Sequence, residues 1–372
     1  MSLPFFPFSR AAALDLVPRS SHAHDVDAHL AAAIDWLCRA QDSSPDGGVS
    51  YGFSLLGGWR PSYIETTGYI ACTFFNLAHA LRRNEYRERA IRMVRWLCTV
   101  QHEDGSFGNP TVDENDGIVF DTGQDLFGLL RAHKETEEPV FHAAAIRAGD
   151  WLVNVADESG RWTRKTYNRI PHVYNTRTAW ALLELAAVVP NPDYERVARV
   201  NLDWGVSRQR DNGWFDECAF ERDAAPFTHT IAYACRGLWE SSRLIKEPRW
   251  ERAAMRGAEA MLSWVLADGF LPGQVHPDGR AESKYCCLTG NCQFAIIWSK
   301  LFEATGDERW KEGAIRAMRF VMRTQDLSTS NADVLGAIKG SHPIWGAYSP
   351  FTYPNWATKF FVDALLAIRG WL

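Results

Sequence analysis

No stretch of the 372-residue chain approaches the roughly 18 consecutive apolar residues of a membrane-spanning helix, and no run of five or six lysines or arginines occurs. The first absence argues against a membrane span. The second argues against nucleic acid as the main partner, because 40 basic and 45 acidic residues are interspersed and leave a net charge of −5. Cysteine is scarce where loop staples would sit: the eight, at 38, 72, 98, 218, 235, 286, 287 and 292, fall mostly inside apolar helical patterns. That usage reads as a reducing compartment and a soluble, cytoplasmic protein. Pro and Asp interrupt the N-terminal MSLPFFPFSRAAALDLVPRSSHAH, so residues 1–24 read as an arm packed on the body through Phe5, Phe6 and Phe8, with a targeting segment as the alternative. A content of 46% apolar and 13% aromatic residues is enough for a large core and excludes disordered and collagen-like classes.

What is present is a repeat. An amphipathic segment recurs as DAHLAAAIDWLCRAQ (27–41), EYRERAIRMVRWLCTVQ (85–101), PVFHAAAIRAGDWLVNVAD (139–157), DYERVARVNLDWGVSRQ (193–209), RWERAAMRGAEAMLSWVLAD (249–268) and RWKEGAIRAMRFVMRTQD (309–326), at a period of roughly 53–60 residues. Apolar residues fall at i, i+3, i+4 and i+7, the signature of a helix with one buried stripe and one wet face. Trp36, Trp96, Trp151, Trp204, Trp264 and Phe320 occupy equivalent places and are expected to be core. Between these segments lie six others, apolar nearly all round, such as ETTGYIACTFFNLAHAL and LTGNCQFAIIWSKLFEA, and helices of that kind are buried. Twelve helices alternating outer and inner predict an all-α fold, an (α/α)6 barrel of six helical hairpins over residues 25–372.

Most outer segments run into a punctuated turn, as in Gln101-HEDGSF and Gln209-RDNGWF, where Gly supplies positive φ and Asp or Asn supplies local side-chain bonds. The pattern Q-x-x-x-G-x-F (Gln101, Gly105, Phe107; Gln209, Gly213, Phe215) resembles the QW repeats of terpene cyclases and prenyltransferase β-subunits, and that resemblance implies an α/α toroid. The hairpin pattern is also similar to six-hairpin glycosidases, toroid polysaccharide lyases and the helical domain of uronyl C5-epimerases. GWRPSYIETTGY, FDTGQDLFGLLRA, HVYNTRTAWALL, FTHTIAY, CLTGNCQFAIIW and YPNWATKFF together look like an uncharacterised toroid family of bacterial polysaccharide gene clusters, which implies a glycan context without a mechanism.

In a closed double ring, the first turns of the inner helices crowd one mouth, and their dipoles favour anions there. Aligning these helices on Thr67, Thr122, Thr176, Thr230 and Thr289 brings Glu65, Asp121, Tyr174, Asn175, His229 and Asn291 to corresponding places, and Tyr353 and Asn355 open the sixth. Thr67, Thr122 and Asp121 are also of the types that cap helices. The densest cluster, PHVYNTRTAW, places His172, Tyr174, Asn175 and Arg177 within six residues. Removing the C5 proton of a uronate requires stabilising the negative charge that spreads into its carboxylate, which Asn or Arg hydrogen bonds can do, and a base and an acid near neutral pH, roles suited to His and Tyr. The set resembles the Asn/His/Tyr/Arg sites of toroid uronate lyases. The leading expectation is therefore a lyase or C5-epimerase acting on a bacterial polysaccharide or oligosaccharide, with Arg177 and Asn175 on the carboxylate, Tyr174 with His172 or His229 as proton carriers, and Glu65 and Asp121 on sugar hydroxyls.

Glu65 and Asp121 open adjacent inner helices, and two acids at one cleft are the minimum for glycoside hydrolysis, the alternative reading. A noncatalytic glycan-binding or assembly role is a third. Asp216, Cys218 and His229 use the ligand types of the prenyltransferase zinc site, but their spacing departs from that family and no metal or other cofactor is expected. Terpene cyclisation is disfavoured because DxDD is absent and the mouth candidates are polar. Further substrate contacts are expected from Trp59, Arg60, Tyr63 and Gln124, and from the Gly- and Pro-rich segment 336–361 through His342, Tyr348, Tyr353, Asn355 and Lys359, with Trp and Tyr stacking on sugar rings. The oligomeric state is left open.

Overall fold

The structure, a computed structural model, describes residues 6–16, 25–108, 116–281 and 283–372. After α1 (Phe6–Leu16), six helical hairpins follow in order. Their outer helices are α2 (Val26–Asp42), α4 (Asn84–Val100), α6 (Pro139–Asn154), α8 (Pro192–Ser207), α10 (Pro248–Leu262) and α12 (Glu308–Thr324). The inner ones are α3 (Ile64–Leu81), α5 (Val119–Thr136), α7 (Thr176–Ala186), α9 (Thr228–Ile245), α11 (Leu288–Thr305) and α13 (Asn355–Ile368). Each inner helix packs on the next, and α13 closes back on α3 and α2, which completes the ring.

The two sets differ as their sequences require. In α12 the buried residues Trp310, Gly313, Ala314, Ala317, Met318 and Val321 form a single stripe, whereas α11 is buried without interruption from Leu288 to Ser299. Small residues let the inner helices touch: a Cβ on Gly128 of α5 would lie 2.6 Å from the Gly68 carbonyl oxygen of α3.

The turns after the outer helices explain the recurrent Gln and Gly. Gln101 Nε2 donates to Gly105 O in its own turn and to Ala144 O in the next outer helix, both at 2.9 Å, and Gln209 does the same with Gly213 O and Ala253 O. Gln41 bridges Gly47 O and Arg89 O in the same way. At the ring's seam Gln325 joins Gly336 O (2.7 Å) to His29 O (3.2 Å), so the last outer helix is tied to the first. In the third hairpin Asn201, reaching back from the next outer helix, donates to Gly160 O. Gly105 has φ +93°, and a Cβ there would lie 2.3 Å from Arg147 O, so only glycine fits.

Two details differ from expectation. Trp36, Trp151 and Phe320 are buried, but Trp96, Trp204 and Trp264 are only half-buried. Trp96 lies across the Gly48 turn of the preceding hairpin, sealing a rim instead of filling the core. Nor do the threonines cap: the N-cap positions before the inner helices are held by Tyr63, Ile118, Asn175, Phe227, Cys287 and Pro354, none with a side-chain cap bond. Instead Thr67, Thr122 and Thr358 accept the N–H of Val49, Phe107 and Ile338, anchoring each incoming segment against its helix.

Short strands decorate the mouth. β1 (Gly52–Ser54) pairs antiparallel with β2 (Gly58–Trp59) and with β5 (Thr352–Pro354), placing Phe53 opposite Tyr353. β3 (Cys286–Cys287) pairs with β4 (Ser341–His342). The β1 and β5 pairing joins the first hairpin to the last across the seam. All eight cysteines are free thiols, and no described helix is long and apolar enough to cross a membrane. Phe5 and the side chains of Phe6 and Phe8, expected to pack the arm, lie outside what is described.

Candidate functional site

A cavity of about 420 Å³ opens at the N-terminal ends of the inner helices. Glu65 and Asp121 enter it from the first turns of α3 and α5, where the helix dipole stabilises a negative side chain. Tyr174 precedes α7, His229 and Thr230 open α9 with Tyr233 one turn deeper, and Trp356 opens α13. Loops complete the wall with Tyr51, Tyr63, Tyr167, Phe220, Phe227, Ala347, Tyr348 and Ser349.

Rings dominate this surface, contrary to the expectation of a polar mouth. Phe120 lies 5.1 Å from both Tyr174 and Tyr233, Tyr348 lies 4.4 Å from His229, and Tyr51 meets Trp356 at 4.8 Å. Among the described residues the lining carries two carboxylates and no Lys or Arg. The Tyr63 hydroxyl donates to Glu65 Oε2 at 3.1 Å. Burial, reinforced by the Glu65 charge and that of Asp121, pushes the hydroxyls of Tyr63 and Tyr174 well above the ordinary tyrosine range. Burial alone drives His229 down to about 3, so its imidazole is neutral and serves as a hydrogen-bonding group.

The loops that bring these rings together are strained. Non-glycine residues take left-handed φ at Lys165, Asn168 and Arg169 around Tyr167, at Glu217 and Asp223 around Phe220, and at Ser349 and Phe351 beside Tyr348. Asn168 and Asp223 are of types that tolerate this region, whereas at the other five it costs about 1–3 kcal/mol each; Arg82, Glu137 and Lys246 also take it, where they end α3, α5 and α9.

Of the residues expected at the site, Glu65, Asp121, Tyr174, His229, Tyr63 and Tyr348 line the cavity together. The others do not. His172 has Nδ1 2.9 Å from Ala219 O and Nε2 2.6 Å from Tyr167 O, and its ring stacks on Tyr174 from behind. Arg177 lies beneath the floor, donating to Gln124 Oε1 at 2.5 Å inside a cage of Tyr69, Phe127, Trp180, Tyr233 and Phe360 rings 5.2–5.9 Å away. Asn175 is buried outside the lining with its Oδ1 unpartnered. Lys359 pairs with Asp363 at 2.6 Å below the site. Trp59 packs on Trp36 and donates to Asp333, while Arg60 sits over the outer face of Tyr51. Asn291 accepts from the Cys286 thiol, and Asn355 holds Ser50 O and Thr66 Oγ1 across the seam. Tyr353 is taken up in the β1 and β5 pairing, and His342 faces α1. Among the described residues no three His, Cys, Asp or Glu side chains gather to hold a metal, and Asp216 is turned to Arg210 on the surface.

Sequence reasoning missed Tyr51, Phe120, Tyr167, Phe220, Phe227, Tyr233 and Trp356. Tyr233 carried a signal, since it follows His229 by four residues and shares its helix face. The loop rings carried none, because loop paths have no period.

No family profile matches the sequence. A segment of 162 residues is 27% identical to a squalene–hopene cyclase of Zymomonas mobilis, covering 41% of this chain and 22% of that longer protein. Among solved structures, the unsaturated glucuronyl hydrolase of Bacillus sp. GL1 superposes with a TM-score of 0.71 at 16% identity over 93% of this chain and 97% of its own. An unsaturated glucuronyl hydrolase specific for heparin gives 0.73 at 14% and a D-mannose isomerase 0.71 at 13%, with the same coverage. At such identities the likeness establishes architecture: the chain is an α/α toroid of six helical hairpins.

Proposed function

We propose that the chain is a carbohydrate-active enzyme that hydrolyses a polysaccharide or oligosaccharide, with Glu65 and Asp121 as its acid and base pair. The observation that carries this reading is the entry of two carboxylates, from neighbouring helix N-termini, into one cavity walled by rings. Aromatic faces stack on the CH surfaces of a sugar, and tyrosine hydroxyls bond its rim. Glu65, which accepts the Tyr63 hydroxyl, is suited to the base, and the more deeply buried Asp121 to the acid. The toroid neighbours that act on glucuronyl glycans and on mannose support a saccharide as the substrate class.

Uronate lyase or C5-epimerase chemistry is the second reading, favoured by Tyr174 and His229 in the lining. It is the weaker one. His229, pushed down to about 3, and Tyr174, pushed up, are both far from the pKa of an efficient base at neutral pH, and Arg177 is held beneath the floor. Proton NMR of the protein with a panel of uronate-containing and neutral glycans in heavy water separates the readings. New reducing ends support hydrolysis, vinylic protons a lyase, and loss of H5 from intact chains an epimerase. Selective line broadening without turnover supports a binding protein and refutes both enzymatic readings.

A further inference from the structure

Helix α1 meets the barrel through an acidic side chain that is more deeply enclosed than any surface contact requires. The Asp15 side chain is fully buried, and that of its partner Lys339 is 4% exposed. One Asp15 oxygen accepts from Lys339 Nζ and lies 3.3 Å from His342 Nδ1, and the other accepts the Ile344 N–H at 2.8 Å. Burial acts to raise the Asp15 pKa, but the His342 bond and the Lys339 charge hold it at about 2. Ammonium, imidazole and backbone amide thus form a carboxylate receptor, filled from within the same chain.

The receptor stands at the base of a loop whose tip is the cavity wall. Within residues 339–351, Ser341 Oγ donates to Tyr348 O at 2.7 Å and the Phe351 N–H donates to Ile344 O at 2.9 Å. Tyr348 then packs on His229, and its hydroxyl accepts from Trp356 Nε1 at 2.7 Å. Ser349 and Phe351 have φ of +47° and +54°, so bonds at the base, more than intrinsic preference, keep this shape. We propose that Asp15 is a positioning residue: from outside the ring it fixes the loop of residues 339–351 that supplies Ala347, Tyr348 and Ser349 to the cavity. Without its carboxylate a buried ammonium loses its counter-charge and the loop loses an anchor on both sides of Pro343.

The full-length protein carrying Asp15→Ala, examined by hydrogen–deuterium exchange, tests this. Uptake in peptides spanning 339–351 is expected to rise about tenfold in rate, while the turn peptides around Gly105 and Gly213 are unchanged. Sodium formate should refill the receptor and restore protection, and formamide, its uncharged counterpart, should not. If the alanine variant does not fold, Asp15→Leu combined with Lys339→Met removes both the acceptor and the ammonium without leaving a lone buried charge, and its exchange is read the same way. A loop whose exchange stays at the wild-type rate in the variant overturns the proposal, as does a loss of protection spread evenly over the chain. The consequence for turnover rests on the hydrolytic reading: KM for the glycan rises about fivefold with kcat within twofold. Because exchange needs no substrate, a shifted loop without any turnover leaves the latch standing and removes the hydrolase, whereas turnover with an unshifted loop does the reverse.

Discussion

Replacing Gln325 probes the seam of the toroid most directly. Its carboxamide donates to Gly336 O and His29 O, and Oε1 lies 2.5 Å from His29 Nδ1, all in a setting where Gln325 is 5% exposed. Alanine removes the two donated bonds and the contact with His29 Nδ1, together contributing about 2 kcal/mol net, and leaves two enclosed carbonyls short of a donor, which adds about 1 kcal/mol more. The sum is about 3 kcal/mol. With an unfolding entropy of about 2.1 cal/mol/K per residue, a chain of this length has about 0.8 kcal/mol/K, so the Tm falls by about 4 °C. Gln325→Glu is expected to be worse than alanine above the pH at which His29 protonates, since it turns an acceptor oxygen toward the two carbonyls while the neutral imidazole beside it offers no counter-charge. Gln101→Glu must be milder than Gln325→Glu, since Arg147 donates to the Gln101 Oε1 position and would pair with the new charge. Calorimetry of the variants gives the ordering, and urea melts give the free energies. A Gln325→Glu protein as stable as the wild type would refute the account of the repeat as a two-carbonyl clamp.

Other outcomes follow from the same geometry. Glu65→Gln and Asp121→Asn are each expected to lower kcat for glycan hydrolysis by about 10²–10⁴ with Tm within about 1 °C, read from reducing-end release beside a thermal melt; full activity in both removes the carboxylate pair as the site. His229 is neutral when folded down to about pH 3 but titrates near 6.5 when unfolded, so the unfolded chain binds the extra proton between these values. Stability from this group is therefore present above about 6.5 and falls by up to about 1.4 kcal/mol per unit as pH drops through that window. In His229→Phe that component of the slope should vanish from denaturation curves taken at pH 4.5–7.5, and an unchanged slope contradicts a buried neutral imidazole. Gly269→Ala places a Cβ 2.0 Å from Arg316 O at φ +87° and should cost at least about 2 kcal/mol in a urea melt, a neutral result being incompatible with the turn described.

The ring was legible because helix period and burial are local properties. Trp310, Gly313, Ala314, Ala317, Met318 and Val321 are spaced as a stripe in the sequence and form one in space. The first-turn acids were legible for the same reason, as their register is fixed by the helices they begin. Arg177 shows where such reading stops. It stands three residues after Tyr174, but the chain passes from a 3₁₀ turn into α7 between them, so the guanidinium descends into the lumen while Tyr174 faces the cavity. His172 and Asn291 are polar types at the right addresses that the fold uses to hold backbone and thiol. Tyr51, Tyr167 and Phe220 reach the cavity from loops whose course depends on contacts with other hairpins, and no single segment encodes that.

The clamp between Gln325 and His29 spans 296 positions along the chain, and the β1 and β5 pairing spans a similar interval. A protein made from its N-terminus onward therefore cannot shut its circle until the sixth hairpin has emerged. Until then the flanks of α2 and α3 that α13 will cover are open apolar surfaces, waiting on the slowest class of contact to form. Synthesis of this chain thus passes through an open crescent exposed to aggregation and to chaperones, with its vulnerable gap at the seam between the first and the last hairpin.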